Sequence, residues 1–542
     1  MAQFKFAQNQ LATTAHLINV GKFPNLSTGD VIKTMGYSTK IDGGGGLWRK
    51  TGNTGTASQA PTTTADITLF DLNGDEWRLI PDGLVNVRQI GAINGISVVS
   101  DVSPALAYGM YFPSGDYLLN ETLISGHDNI EIRGDGPNTT LYINNGQTNR
   151  GIFRFLNCDY PTVKSLTLVG VADADAVFNA SNLREGLYFD NCSFPSIRDN
   201  IFSKFTSYCV EANNLKGGTF TEGCEIDNNI FIDMSYDTLT NNQAAIFLDD
   251  DAEYALITNN KFYRTPKSLR ALTGNTLFDG NIVMNSNGGQ ATRTVNMPCF
   301  EYDGSTNAGK LIFTNNMFNH NNNQIQAVIS SNSLAQNPNV IDNNHMLANQ
   351  IDNDPMEMLL VINSPRARIV NNAIRATGTQ DFPLVNISSS DDCFFDGNDL
   401  QAGSYGLQIT SCDRVRLGDG NFYTNQATGR VNYSAGSSIK NYNNLLNFEV
   451  TSIGGEGTVW DNGDWTVSQV ATGRYQIVHN MGTQDYTATP IREGINSDAP
   501  LIFNVAHNNN GTDFSVFNTS GTLTDSEFRV CYSVSSTVEY GS

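Results

Sequence analysis

The run IRDNIF (197–202) is echoed down the chain by IDNNIF (226–231), ITNNKF (257–262), FDGNIV (278–283), FTNNMF (313–318), IDNNHM (341–346), IVNNAI (369–374) and FDGNDL (395–400). LGDGNF (417–422) is a looser copy. The aligned amides are Asn200, Asn229, Asn260, Asn281, Asn316, Asn344, Asn372, Asn398 and Asn421, separated by 29, 31, 21, 35, 28, 28, 26 and 23 residues. Apolar residues alternate on both sides of each Asn, which is the period of a strand and not of a helix. Short alternating strands divided by Asn and Gly turns, repeating once per ~28 residues, describe a β-solenoid. Asn suits such a corner because it tolerates the left-handed backbone region. Stacked coil on coil, its side chain can also bond to its own copies in a ladder. The segments NIEIRGDG (129–136), LTLVGVADADAVF (166–178) and GLYFDNCSF (186–194) read as earlier coils. The solenoid is therefore expected from about 115 to about 430. With ~4.8 Å between stacked strands, some twelve coils would make a rod of roughly 55 Å.

Composition narrows the partners. The 542 residues hold 32 Lys+Arg against 54 Asp+Glu, a net charge of −22. Phosphate binding needs clustered cations, so no nucleic acid is expected as a partner. Anionic membrane surfaces are disfavoured for the same reason, and no apolar run approaches the ~18 residues of a membrane span. The N-terminus MAQFKFAQNQ carries no apolar segment with a cleavage site, so a secretory signal is not expected. Cys158, Cys192, Cys209, Cys224, Cys299, Cys393, Cys412 and Cys531 form no C-x-x-C pair and lie at no metal-ligand spacing from a His. They read as reduced, buried thiols. No cofactor and no metal is expected.

The N-terminal region differs in character. GYSTKIDGGGGLWRK (36–50) carries four consecutive glycines, GDEWRLIPDGLVNVRQIGA (74–92) follows, and PALAYGMYFPSGDYLLNETL (104–123) leads into the first coils. Gly36-Tyr37, Asp42 to Gly46, Trp77-Arg78-Leu79, Val87 to Ala92, Pro104 to Tyr108, Phe112 to Leu118 and IRGDGPNTTLYI (132–143) carry a resemblance. This stretch resembles the lead-in of bacteriophage tailspikes and of the pectate-lyase-like β-helix superfamily, although the acidic pair usual after the G-A turn is only Asp101 here. Further on, Gly473, Tyr475, Ile477, His479 to Thr483, Asp485 and Tyr486 look like the C-terminal β-sandwich of phage fibres and spikes.

The resemblance implies an all-β chain: a right-handed parallel β-helix (solenoid) with a small N-terminal head or cap and a C-terminal β-sandwich, assembled as a homotrimer. The corresponding domains are residues 1–80 for the head and particle attachment, 81–435 for the helix, and 436–542 for the sandwich. It also implies attachment to a phage baseplate or tail through the N-terminus. The protein would be assembled in the host cytoplasm, carried on the virion and active at the bacterial outer surface. The expected partner is a bacterial surface polysaccharide, O-antigen or capsule.

Cleaving such a polymer by hydrolysis takes two carboxyl groups, one to donate a proton and one to activate water or attack the sugar. Carboxylates at one phase of neighbouring coils stand ~4.8 Å apart, and two coils apart ~10 Å. The densest acidic cluster is Asp249-Asp250-Asp251, with Glu253 after it; Glu301 and Asp303 follow at a similar phase. Asp249, Asp250, Asp251, Glu301 and Asp303 are the catalytic candidates. Asp237, Glu253 and Glu357 extend the acidic line, Tyr254 and Tyr302 offer rings for stacking on sugars, and Arg264, Arg270 and Arg293 offer charge for acidic sugars. Two other readings of the triple Asp stand beside this one, solvated loop residues and a Ca²⁺ site. Lys261, Arg264, Lys267 and Arg270 keep a lyase open, since β-elimination needs a base and a cation to neutralise a uronate. A spike that binds without turnover is the third reading.

Overall fold

The structure is a computed structural model that describes residues 26–38, 42–56, 67–92, 107–119, 123–143, 151–170, 185–213, 223–234, 244–249, 252, 254–265, 267–272, 274–284, 298–304, 309–319, 325–331, 338–348, 357–377, 382–418, 420–433, 437 and 439–441. It also describes the strands 445–450, 466–471, 474–478, 486–492, 502–508, 511–517 and 528–534. The chain divides into two compact units, residues 1–412 with 421–437, and residues 413–420 with 438–542.

In the first unit every coil contributes three short strands to three parallel sheets, here called A, B and C in the order the chain meets them. One coil runs Ala255–Thr258 (A), Lys261–Tyr263 (B) and Leu269–Ala271 (C); the next runs Thr276–Asp279, Ile282–Met284 and Phe300–Gly304. Each strand pairs in parallel with its counterpart one coil away, as Phe262 does with Phe231 and Val283, and Ala271 with Leu248 and Tyr302. Sheets B and C are each 12-stranded and reach from Gly115–Leu119 and Leu123–Ser125 to Phe422–Thr424 and Gly429–Tyr433. The expected parallel β-helix is present. Among the described residues helical structure is confined to the 3-10 turn Val87–Ile90 and to Ala107.

Alternation decides what faces inward. Phe202, Phe231 and Phe262 occupy the same phase of sheet B, are fully buried, and stack with centroids 4.9 and 4.8 Å apart. Phe278, Phe300 and Phe313 continue the aromatic filling. All seven described cysteines are buried and free, as expected.

The repeat Asn residues form the expected ladder, but the reason for Asn is different. Asn316 Nδ2 donates to the Phe278 carbonyl at 2.8 Å and to Asn344 Oδ1 at 3.0 Å, while its own Oδ1 accepts from Asn281. The same pattern joins Asn200, Asn229, Asn260, Asn281, Asn344, Asn372, Asn398 and Asn421. The ladder residues from Asn200 to Asn398 are at most 1% exposed. The left-handed conformation belongs to the residue before each of them: Asp199, Asn228, Asn259, Gly280, Asn315, Asn343, Asn371 and Gly397 have φ between 53 and 68°. The ladder Asn is thus an inward residue chosen for its two-sided amide, and its neighbour supplies the turn.

Before the first coil lies a 4-stranded antiparallel sheet in the order Val31–Lys33, Leu47–Thr54, Asp75–Ile80, Thr68–Phe70. Trp48 and Trp77 fill it, and Trp77 Nε1 donates to Asp71 at 3.0 Å. Asp42 accepts from the amides of Tyr37, Ser38 and Gly44. Arg88 donates to the carbonyl of Ser114 and the hydroxyl of Tyr117, tying the sheet to the first coil. The second unit contains two antiparallel sheets. One is ordered Leu445–Val450, Phe528–Val534, Tyr486–Arg492; the other Thr466–Ala471, Arg474–Val478, Gly511–Phe517, Ile502–Asn508. His479 lies outside the described residues.

Candidate functional site

Strand alternation sends every second residue of sheet C outward, and parallel register stacks these residues in a column. The pairings give Arg154, Tyr188, Glu211, Phe247, Arg270 and Glu301 on six successive coils. Two residues further along each strand a second column holds Asp190, Asn213, Asp249, Leu272 and Asp303. Asp249 extends its strand beside Asn213, with its amide on the Ala212 carbonyl at 3.0 Å, and Leu272 does the same on Leu248.

The face is polar, aromatic and charged by turns. The Arg154 guanidinium lies 4.6 Å from the Tyr188 ring centroid. Asn213 Nδ2 donates to Glu211 at 3.0 Å and to the Tyr188 hydroxyl at 3.3 Å. Tyr208, at the start of the same sheet, stacks on Phe247 with centroids 4.8 Å apart, and Arg270 covers Phe247 at 5.6 Å. Glu301 pairs with Lys267 and stands 3.7 Å from Arg270 Nε. Glu211 is buried, at 9% exposure.

Electrostatics follow from this packing. Burial pushes the Tyr208 phenol up to about 12, with the negative charge of Glu211 adding to it, Arg270 opposing, and Glu185 and Asp249 adding further. Burial holds the Lys267 ammonium below the usual lysine range, against the pull of Glu301, which makes one short ion pair with it. Glu211 and Asp249 lie on adjacent coils and two residues apart along the strand. One inter-strand step and two residue rises place their backbone positions about 8 Å apart. Two coils separate Asp249 from Asp303, about 10 Å.

The residues singled out from the sequence divide as follows. Asp249, Arg270, Glu301 and Asp303 share the outward face of sheet C. Glu357 lies two residues before the sheet C strand Leu359–Ile362, two coils beyond that of Glu301, and accepts from Asn386 Nδ2 at 3.0 Å. Tyr254 is on the corner between sheets C and A, 45% exposed, and Arg264 is on the corner between B and C, paired with Asp233. Tyr302 is a correction: it follows outward Glu301, so alternation turns it into the core, where it is fully buried and donates to the Gly274 carbonyl at 3.2 Å. Asp237, Asp250, Asp251, Glu253 and Arg293 lie outside the described residues. Glu211, Tyr208, Tyr188, Phe247 and Arg154 were not singled out by sequence reading. Among the described residues no cluster of three acidic, His or Cys side chains is placed to hold a metal.

Fold and face together define a three-sheet parallel β-helix with an outward carboxylate–aromatic–cation column. No protein-family model matches the chain, and no curated protein sequence does. Solved structures of similar fold include tailspike gp49 of Acinetobacter baumannii bacteriophage Fri1, a capsular polysaccharide depolymerase: 11% identity, 98% of each chain covered, TM-score 0.45. Tailspike protein 2 of Escherichia coli O157:H7 bacteriophage CAB120 matches at 12% identity over 97% of this chain and 71% of that one, TM-score 0.46. The A-module of mannuronan C-5 epimerase AlgE4 from Azotobacter vinelandii matches at 15% identity over 66% of this chain and 99% of that one, TM-score 0.40.

Proposed function

We propose that the protein is a phage tailspike that binds a bacterial surface polysaccharide and cuts it by endo-glycosidic hydrolysis on the outward face of sheet C. The observation that carries this reading is the Glu211–Asp249 pair: two carboxylates on adjacent coils of one outward face, Glu211 buried and Asp249 half-buried. Their backbone positions, about 8 Å apart, favour the wider carboxyl spacing of an inverting hydrolysis over the closer one of a retaining enzyme. Glu211, the more buried and flanked in its column by Tyr188 and Phe247, is assigned proton donation; Asp249 activates water. Tyr188 and Phe247 flank the pair along the column, and Arg270, Glu301 and Asp303 position the polymer further along. Asp250 and Asp251 remain candidates beside Asp249. Elimination is less well supported, because a phenol pushed up to about 12 is a poor proton acceptor near neutrality and Lys267 is committed to Glu301.

The outward positions of sheet B support self-association as a homotrimer. Ile201, Ile230, Ile282 and Met317 lie in one column, half-buried or exposed and interrupted by Lys261 between Ile230 and Ile282, and such an outward line is covered when rods pack side by side. Residues 1–80 are assigned to virion attachment and 436–542 to a sandwich that assists assembly or holds sugars. The test is incubation with purified host polysaccharide. Glu211→Gln and Asp249→Asn should each lower turnover by roughly 10²–10⁴ with binding retained, and the wild type should release new reducing ends. Products that absorb in the ultraviolet through a new double bond would overturn hydrolysis. Binding without any shortening would leave an adhesin.

A further inference from the structure

The corner between sheets C and A carries a second feature apart from the carboxylate face. Register runs Asn129, Tyr160, Phe194, Gly223, Tyr254 up five successive coils. Tyr160, Phe194 and Tyr254 all hold the left-handed conformation, with φ of 57, 49 and 57°. That region favours Gly, Asn and Asp, and bulky side chains are strained there. Asn129 occupies the same corner one coil below Tyr160, and Arg366 and Asp392 hold the left-handed φ of 62 and 56° at the equivalent step higher up, so the turn itself does not call for an aromatic ring. The rings are not core residues: Tyr160 is 52% exposed, Phe194 40% and Tyr254 45%. Tyr160 and Phe194 instead stack on each other, centroids 5.1 Å apart and 9° from parallel.

Gly223 then leaves one step of the column without a side chain. A Cβ there would meet the Tyr254 carbonyl at 2.1 Å, so the step cannot be filled without moving the backbone. Phe194 and Tyr254 are two coil rises apart, about 10 Å. Around the rings stand hydrogen-bonding groups: Asp128 accepts the Asp159 amide at 2.9 Å, and Asn191 Nδ2 donates to Asn157 Oδ1 at 2.6 Å.

We propose that Tyr160, Phe194 and Tyr254 form a second glycan-binding surface, a corner platform on which the apolar faces of uncharged pyranose rings stack. A sugar ring has an apolar C–H face and a hydroxylated rim, and this corner offers aromatic faces within a frame of amides and carboxylates. A second copy of the chain fits poorly. Three side chains supply far less than the ~800 Å² per partner of a stable contact. The platform spans the coils that carry Arg154, Tyr188 and Glu211 on the next face. A polymer held at the corner is thereby kept at high local concentration beside the carboxylates.

The inference rests on the polysaccharide reading for its ligand class, and the test separates the two. The wild-type trimer or monomer, as purified, is applied to an array of bacterial O-antigen and capsular polysaccharides. The best-bound polymer and its short oligosaccharides are then titrated by calorimetry against wild type and Tyr160→Asn/Phe194→Asn. Asn is the residue the corner already uses at position 129, so this variant should melt no lower than wild type. Expected is an affinity for the long polymer about tenfold weaker, with turnover of short oligosaccharides unchanged. Equal polymer affinity would overturn the platform alone, and so would a changed molar mass in light scattering, which would reassign the corner to a subunit contact. A wild-type protein that binds no polysaccharide would overturn the functional reading and the platform together.

Discussion

Replacing Asn316 by Ala should cost far more stability than replacing its neighbour Asn315 by Gly. Asn316 is 1% exposed at mid-rod. Its side chain makes four bonds: to the Phe278 carbonyl and Asn344 Oδ1, and from the backbone and side-chain nitrogens of Asn281. Truncation leaves the Asn281 backbone N–H without its Oδ1 acceptor and removes a donor from the Phe278 carbonyl. Each buried group left unmade costs about 1–3 kcal/mol. Asn281 Nδ2 keeps two carbonyl acceptors, Ile257 and Asp279, and adds little to the loss. The sum is about 3–5 kcal/mol. Asn315 is exposed and sits at φ 56°, a conformation Gly adopts without strain; its Nδ2 bond to Asp279 is at the surface. Asn315→Gly should therefore change stability by less than about 1 kcal/mol. Urea unfolding with matched refolding controls measures both. Because solenoid stability is a sum of neighbouring-coil terms, proteolysis of Asn316→Ala should also cut first near coils 278–344. A larger loss from Asn315→Gly than from Asn316→Ala would refute the assignment of ladder and turn roles.

Three further outcomes follow from the same geometry. Lys267→Met should destabilise by about 1–3 kcal/mol, because Lys267 is 1% exposed and Glu301 loses its nearest cation while keeping Arg270 at 3.7 Å; equal unfolding midpoints for variant and wild type would contradict the buried pair. Tyr208 titrates at about 12 in the folded protein against 10 unfolded. The unfolded chain thus gives up its proton first, and folding loses stability as pH rises from about 10 to 12, by about 3 kcal/mol at most. Tyr208→Phe should remove that component and leave the profile below pH 10 unchanged, as alkaline melting curves would record. The seven described cysteines should resist a thiol reagent in the native protein and react after denaturation, since burial pushes Cys209, Cys224 and Cys393 thiols up; rapid native labelling of Cys209 would show that its coil is not packed.

Much of the fold was legible because one corner of each coil is short. Sheet A and sheet B strands are joined by a turn of nearly constant length around the ladder Asn, so its spacing and the flanking apolar alternation stand out, as in ITNNKF and FTNNMF. The role of Asn was misassigned, because a dipeptide such as Asn259-Asn260 does not say which residue turns and which points inward. The sheet C face was harder to read. Glu211 lies 11 residues after Asn200, Phe247 lies 18 after Asn229, and Glu301 lies 20 after Asn281, so loops of varying length erase the phase. Asp249 stood out only because it opens a run of three acids. Glu211 is a lone acid in VEAN with nothing local to mark it as outward beside Asp249. Tyr302 failed for a related reason: in FEYDG alternation puts either Glu301 or Tyr302 outside, and only the register with Arg270 and Ala271 decides.

The stacking of sheet C is most directly tested by pulsed electron resonance between nitroxide labels on its outward column. Labels at Arg154 paired in turn with Arg270, Glu301 and Val328 span four, five and six coils. The mean distances within one chain should rise as about 19, 24 and 29 Å, one ~4.8 Å step per coil. Distances that fail to increase in even steps would show that Glu211, Asp249 and Glu301 do not share a face.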